Sequence, residues 1–357
     1  MSGEKGKTSK ISGRSTVRPP AAEKSTGRSR LPAPPKAPSR LPKAPSRFPK
    51  SPSLPPPSSG QTKTDLLPPP LPKPTVAFLG LGKMGRPMAG RLLDLGFPIR
   101  VWSRTSSTAK TLSGAIATTS PAEAVKGAAV IVTMLTDAAA LEAVLPSILE
   151  GIHAEKSKLR PVLVDMSTIG RRAAIAIGKR VEASGARFVD APVSGTVRPA
   201  ARGELVALVG GAVRSVERAR PVLDALCKKV IHAGGIGQGQ ALKVVLNGIG
   251  AHHFIALASM LALGEKAGLA RDILLDAFTT GAFATPSYLG KRDKLLVRDY
   301  TAEFSLELAL KDVALNVQLQ HECGVKLPVL RAIVADLERA MNAGLGGLDL
   351  FAIEKTY

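Results

Sequence analysis

Lys243 interrupts the apolar series Ala241-Leu242-Lys243-Val244-Val245-Leu246, on what reads as one long helix. A lysine in that setting is poorly placed for simple solvation. Its ammonium can meet negative charge that develops on a carbonyl oxygen and hand that oxygen a proton. Asn247 follows at i+4, one turn along the same face, where its amide can hydrogen-bond and orient a small polar molecule. An ordinary surface lysine is the competing reading.

A second chemical signature lies near position 80. The run Gly80-Leu81-Gly82-Lys83-Met84-Gly85-Arg86 follows the apolar stretch Val76-Ala77-Phe78-Leu79 and precedes a helix-like segment starting at Pro87. Strand, glycine turn and helix opening together make a phosphate cradle for a dinucleotide. Gly80 permits the tight turn, Gly82 lets backbone approach a pyrophosphate, and Gly85 lets the helix pack on the strand. Unpaired N–H groups at the helix start then face the anion. The end of the next strand, Val101-Trp102-Ser103-Arg104-Thr105, carries no carboxylate for a ribose 2′-OH. Arg104 offers a planar fork, and Ser103 and Thr105 add hydroxyls. That set suits a 2′-phosphate and hence NADP over NAD. The plain alternative is a solvated loop cation. Further on, Ser194-Gly195 reads as a turn after a strand, where successive N–H groups can form an anion-binding nest.

These groups need a scaffold. From Thr75 onward, short β-branched runs alternate with helical patterns, as a parallel sheet with crossover helices requires. The expected strands are Val76–Leu79, Ile99–Trp102, Val130–Leu135, Val162–Asp165, Phe188–Asp190, Leu205–Val209 and Val230–His232. After Gly237 the pattern changes: Ala241 to about Ala267 reads as one helix, apolar on most faces and therefore buried on several sides. The rest is helical to about Gly344, with breaks near Gly281 and Pro328. The expected fold is α/β, with a Rossmann-type dinucleotide-binding domain over 75–236. An all-α domain for substrate binding and dimerisation follows over 237–357.

Residues 1–74 are a different polymer. They hold 15 Lys and Arg against 3 Asp and Glu, which places most of the chain's net charge of +21 at its front. They also hold 18 of the 28 prolines and repeat Lys-Ala-Pro-Ser-Arg at Lys36–Arg40 and Lys43–Arg47. Proline removes backbone donors and fixes φ, so this composition predicts a disordered, partly polyproline-II arm. Such an arm is a solubilising linker or a ligand for a polyanion such as nucleic acid. A transit peptide would need an amphipathic helix that this proline density breaks.

Five ordered motifs carry a family likeness. They are the Gly80–Gly85 run, Asp165-Met166-Ser167-Thr168, Asp190-Ala191-Pro192-Val193-Ser194-Gly195, Gly237-Gln238-Gly239 leading to Lys243 and Asn247, and Lys311-Asp312. With them the segment from Thr75 to about Ala352 resembles the β-hydroxyacid dehydrogenase family, and within it the glyoxylate/succinic semialdehyde reductase branch. The resemblance implies an NAD(P)-dependent enzyme that interconverts small aldehyde or keto acids and their hydroxy acids. Lys243 would be its general acid, and Asn247, Ser194, Gly195 and Thr196 its substrate contacts. Thr196 stands where many members carry glycine. The resemblance also implies that Leu81, Lys83, Met84, Met134, Leu135, Thr168 and Lys311 touch the cofactor, and that the long helix is buried in a homodimer or homotetramer. On its own, Lys311-Asp312 would read as surface charge. Two rivals share the fold: an imine reductase, which usually lacks this lysine, and a non-catalytic chromatin or nucleic-acid adaptor.

No run reads as a membrane span or signal peptide, and no His, Cys or carboxylate cluster has metal-ligand spacing. Adjacent His252 and His253 point about 100° apart, which is wrong for a metal pair. Cys227 and Cys323 read as free thiols in a reducing compartment, which places the chain in the cytoplasm. Lys228-Lys229 beside Cys227 is a setting that lowers a thiol pKa.

Overall fold

The computed structural model describes residues 72–154, 160–282 and 284–357, so the arm expected over 1–74 lies almost wholly outside the described residues. Among those residues the strands are β1 (Val76–Leu79), β2 (Ile99–Trp102), β3 (Ile116–Ala117), β4 (Val130–Thr133), β5 (Val162–Asp165), β6 (Arg187–Asp190), β7 (Val193–Ser194), β8 (Leu205–Gly210) and β9 (Cys227–Gly234). The helices between them are α1 (Gly85–Asp94), α2 (Ser106–Lys110), α3 (Pro121–Val125), α4 (Ala138–Ala154), α5 (Arg171–Ala183), α6 (Val197–Arg202) and α7 (Val213–Leu226). The helical half contains α8 (Gln238–Lys266), α9 (Arg271–Thr280), α10 (Pro286–Leu296), α11 (Leu306–Cys323) and α12 (Pro328–Asn342), and closes on a 3-10 helix, Leu350–Thr356.

Every residue of β1, β4 and β5 is buried, as befits central strands covered on both faces. Their period of two splits the apolar residues between two layers. Val76, Phe78, Val130, Val132, Val162 and Val164 meet α1 and α7 through Met88, Leu92, Ala219 and Leu223. Ala77, Leu79, Ile131 and Leu163 meet α4 and α5 through Leu141, Leu145, Ile177 and Val181. The strand order is β3-β2-β1-β4-β5-β6-β8-β7, with β9 on β8. Order therefore reverses between β1 and β4, which opens a crevice at their carboxyl ends, where open α/β sheets bind ligands.

The sheet departs from the expected all-parallel form. β8 runs antiparallel to β6 and β7 and parallel to β9. β3 and β7 have two residues each, too few for any periodicity to show in the sequence. Ser194, expected in a turn, is paired with Val206 in this short strand, and Met134-Leu135 lies just past β4.

The long helix starts at Gln238, three residues before the apolar run, and is the axis of the helical core. Ile255, Ala258 and Leu261 of α8 pack with Leu275, Leu306, Val313, Leu330, Leu337 and Phe351. Its burial is less complete than its composition suggests, because Val245, Leu246, Ile249, Met260 and Leu263 are exposed. By length and hydropathy α8 is also the one helix among the described residues able to cross a membrane, contrary to the sequence reading. Its place in the helical core accounts for the apolarity of its buried face, at Ile255, Ala258 and Leu261, and leaves that of the exposed residues unexplained by packing among the described residues. The helix ends near Ala267 as expected, whereas the break at 297–305 and the terminal 3-10 helix were not foreseen. That helix is tied down by nearly buried Glu354, which accepts two 3.0 Å bonds from Arg271.

Beyond the arm, the positive excess belongs to the sheet half. Residues 75–236 contain 22 Lys and Arg against 12 Asp and Glu, whereas 237–357 contain 12 against 13.

Candidate active site

The glycine turn is built by exclusion. Gly80 has φ +101°, and a Cβ there would lie 2.2 Å from the Met134 carbonyl oxygen. A Cβ on Gly85 would lie 1.9 Å from the Gly80 carbonyl oxygen, so α1 is pressed against the turn. Gly82 is the opposite case: it is exposed and a Cβ would meet nothing within 4 Å. Two glycines thus close the turn and the third leaves its outer side open. The first turn of α1 has no capping side chain and no acidic residue, so its N–H groups remain available to an anion. Lys83 and Arg86 are exposed beside it. These features fit a dinucleotide pyrophosphate. Leu81 is buried in the sheet core and can offer a cofactor only its backbone, whereas Met84 packs against that core and is only partly buried.

Five of the other cofactor candidates adjoin this turn. The Gly80 N–H donates to the Trp102 carbonyl at 2.9 Å, which puts Ser103, Arg104 and Thr105 next to the cradle. Arg104 and Thr105 are exposed, and Arg104 has no ion-pair partner among the described residues. On the other side, the Met134 N–H donates to Leu79 at 2.9 Å, and Leu135 N–H donates to the Ser167 hydroxyl at 2.9 Å. Ser167 and Thr133 hydroxyls in turn donate to one oxygen of Asp165, at 2.7 and 2.8 Å. The second oxygen of Asp165 is buried with no partner. Burial pushes this carboxyl up to about 7 despite the bonds from Ser167 and Thr133 that pull it down, and neighbouring Asp190 adds to the rise. Asp165 belongs to a motif seen in the sequence, but its role as the post of this hydrogen-bonded corner had no sequence signal.

Lys243 sits two turns into α8, half-buried. Loss of solvation around its nitrogen holds the ammonium below the usual lysine range. The Asp312 carboxylate opposes that shift and the Lys311 ammonium reinforces it. Asn247 is one turn further, and its Nδ2 donates to Asp312 Oδ2 at 2.7 Å. One amide hydrogen of the expected substrate contact is therefore committed to protein, which leaves its carbonyl oxygen and second hydrogen. The Lys311 ammonium lies 2.9 Å from Asp312 Oδ1 as a charge contact without hydrogen-bond alignment, and donates to the Thr168 carbonyl at 3.2 Å. Lys311-Asp312, which alone reads as surface charge, is thus drawn inward, with Asp312 only 7% exposed. Close helix contact makes this possible: a Cβ on Gly248 would lie 2.3 Å from Asn316 Oδ1.

Ser194 is half-buried, whereas Gly195, at φ +136°, and Thr196 at the start of α6 are exposed. Among the described residues no hydrogen bond joins these three to Lys243 or Asn247. They follow Asp190, whose carboxylate accepts from Gly237 N–H at 2.7 Å and from Gln240 N–H at 2.8 Å in the first turn of α8. Elsewhere, Cys227 is not activated by its lysines: burial first, and Asp224 second, push its thiol up to about 12. His252 is occupied by the Gly248 carbonyl at 2.7 Å.

Residues 75–235 match the family model described as the NAD binding domain of 6-phosphogluconate dehydrogenase. Residues 237–357 match the one described as NAD-binding of NADP-dependent 3-hydroxyisobutyrate dehydrogenase. Glyoxylate/succinic semialdehyde reductase 1 of Arabidopsis thaliana is 36% identical over 283 residues, covering 78% of this chain and 96% of the relative. The 3-sulfolactaldehyde reductase of Escherichia coli is 31% identical over 284 residues, covering 78% and 94%. Among solved structures, 3-hydroxyisobutyrate dehydrogenase of Mycobacterium tuberculosis with L-serine shares the fold at a TM-score of 0.72. Its identity is 31%, over 80% of this chain and 99% of that one. An α/β half that opens on a dinucleotide cradle, continued by a helical half of the matching type, places this chain in the β-hydroxyacid dehydrogenase family, as an NAD(P)-dependent oxidoreductase acting on CH–OH groups.

Proposed function

We propose that the chain is an NADPH-preferring reductase of small aldehyde or keto acids, working reversibly on the corresponding hydroxy acids. Glyoxylate and succinic semialdehyde are the first substrates to consider, with methylmalonate semialdehyde, and hence 3-hydroxyisobutyrate chemistry, next. The carrying observation is Lys243, whose desolvated ammonium is flanked by Asn247 and Asp312. The dinucleotide, when bound, supplies the hydride. Lys243 stabilises negative charge on the substrate oxygen and gives it a proton, a transfer that its lowered pKa eases. Asp312 keeps Lys243 charged while it waits. Ser194, Gly195 and Thr196 take the substrate carboxylate, and the free edge of the Asn247 amide fixes its orientation. Gly80, Gly82 and Gly85 hold the pyrophosphate with the help of Lys83. Met134, Leu135, Thr168 and Lys311 line the rest of the cofactor path.

Arg104, Ser103 and Thr105 select the 2′-phosphate. Arg104→Glu is expected to raise the KM for NADPH at least tenfold, since a charge-assisted contact contributes about 1.5–3 kcal/mol, while that for NADH changes little. Equal effects in initial-rate assays with the two cofactors would remove the preference. The reading as a whole is tested by following NADPH and NADH oxidation with the three aldehyde acids named above. Turnover of at least one is expected, and none with any would sink it. An imine reductase is disfavoured by Lys243 itself.

The proposal divides the chain into an arm over 1–74, a nucleotide domain over 75–236 and a helical domain over 237–357. The exposed apolar residues of α8 fit a homodimer or homotetramer, and the free thiols of Cys227 and Cys323 fit the cytoplasm. The basic arm is assigned to a polyanion, with nucleic acid as the leading partner. Removal of residues 1–74 is expected to leave turnover intact and to abolish retention on a DNA column at low salt. Unchanged retention would refute the arm's role, and lost turnover would make the arm part of the catalyst.

A further inference from the structure

We infer that Gln240 is a positioning residue, a latch that fixes the Lys243 helix against the β5–α5 loop. Gln240 is fully buried, and its amide makes three hydrogen bonds across the junction between the two halves. Its Oε1 accepts from the N–H groups of Ile169 and Gly170, both at 3.1 Å. Its Nε2 donates to the Ser167 carbonyl at 2.7 Å. Its own backbone N–H is held by Asp190, which also takes the N–H of Gly237. The helix start has no slack: a Cβ on Gly239 would lie 2.3 Å from the Leu208 carbonyl oxygen, and one on Gly210 would lie 2.5 Å from Asp190 Oδ1.

The three loop groups that Gln240 binds bracket Thr168, whose carbonyl takes the Lys311 ammonium at 3.2 Å. Lys311 contacts Asp312, and Asp312 receives Asn247. A ring of contacts therefore leaves α8 at Gln240, crosses the loop, passes through α11 and returns to α8 at Asn247. Lys243 lies between the two points of attachment, three residues after one and four before the other. Both spacings put neighbours on one helix face. The charged groups that act on Lys243, Asp312 and Lys311, belong to the same ring. Without the Gln240 tie, the loop that carries Thr168, and with it Lys311, can shift by a fraction of an ångström relative to the pinned helix, and misplacement on that scale is costly in a hydride and proton transfer.

This inference rests on the assignment of Lys243 as proton donor, and two readouts separate them. The full chain is prepared as Gln240→Met, which loses all three side-chain bonds, Gln240→Glu, which keeps the two accepted ones, and Lys243→Ala. Initial rates with NADPH deuterated at the transferred position are measured across pH, with active sites counted by NADPH titration. Independently, the titration of Lys243 is read from its acetylation rate with acetic anhydride by peptide mass. For Gln240→Met, kcat per active site is expected to fall roughly tenfold to a hundredfold, with an enlarged isotope effect and a Lys243 titration moved toward the ordinary lysine range. Gln240→Glu should fall between it and the parent, and it carries the test if the methionine variant does not fold. Parent-like kcat, isotope effect and labelling in the folded variants would overturn the latch. A shifted labelling curve together with undiminished turnover in Lys243→Ala would uphold the latch and instead remove Lys243 as the acid.

Discussion

Lys243→Ala is expected to lower kcat for aldehyde-acid reduction about 10³-fold, the middle of the range for a positioned general acid, with little change in KM. The alanine leaves the carboxylate contacts and the dinucleotide cradle in place, so binding survives. What is lost is the charge and proton that meet the oxygen as the hydride arrives. The parent enzyme should also reveal the environment of this lysine through pH. Reduction needs the ammonium, so the rate falls as pH rises through the pKa of the folded protein. Burial puts that pKa below the usual lysine range, and the basic limb should therefore appear earlier than for an exposed lysine. Lys243→Arg keeps a charge but holds its proton too tightly to give it away. It should remain slow and lose the basic limb. An alanine variant as fast as the parent, in rates corrected for folded protein, would refute this reading of the site.

The second large effect contrasts two glycines three residues apart and opposite in role. Gly85→Ala drives a methyl carbon to 1.9 Å from the Gly80 carbonyl oxygen and 3.3 Å from Phe78. The helix must lift or the turn must open, at a cost of about 3 kcal/mol, the upper end of ordinary overpacking. Gly82→Ala meets nothing within 4 Å and should change stability by no more than about 0.5 kcal/mol. Its methyl would instead stand where a phosphate approaches. Loss of one backbone bond to that anion, about 1.5–3 kcal/mol, weakens NADPH binding by roughly tenfold or more. Urea unfolding and fluorescence titration with NADPH measure the two effects separately. A Gly82→Ala variant with parent affinity would show that the pyrophosphate lies elsewhere.

The glycine turn and the sheet strands were legible because their signals are local: a turn residue must sit next to the strand it ends. The sheltered position of Lys243, though not its role, was legible because a charge inside an apolar run is conspicuous within six residues. Asp312 was not, since what pulls it inward is Asn247, 65 residues away. The start of α8 was misplaced for a similar reason. The polar residues Gln238 and Gln240 look like loop, and the carboxylate that caps the helix start, through the N–H groups of Gly237 and Gln240, belongs to Asp190, 50 residues before Gln240. Cys227 shows the reverse error, in which sequence neighbours mislead: Lys228 and Lys229 are exposed while the thiol enters the core.

The uneven distribution of charge has a consequence for how the cradle is filled. Beyond the arm, the sheet half carries the surplus of cations and the helical half is close to neutral. On the proposed function, both molecules the site collects, a dinucleotide phosphate and a short-chain carboxylate, are anions. They are drawn to the correct half of the surface before any specific contact forms. Capture then slows as ionic strength rises, while the departure of bound cofactor, governed by short-range contacts, hardly changes.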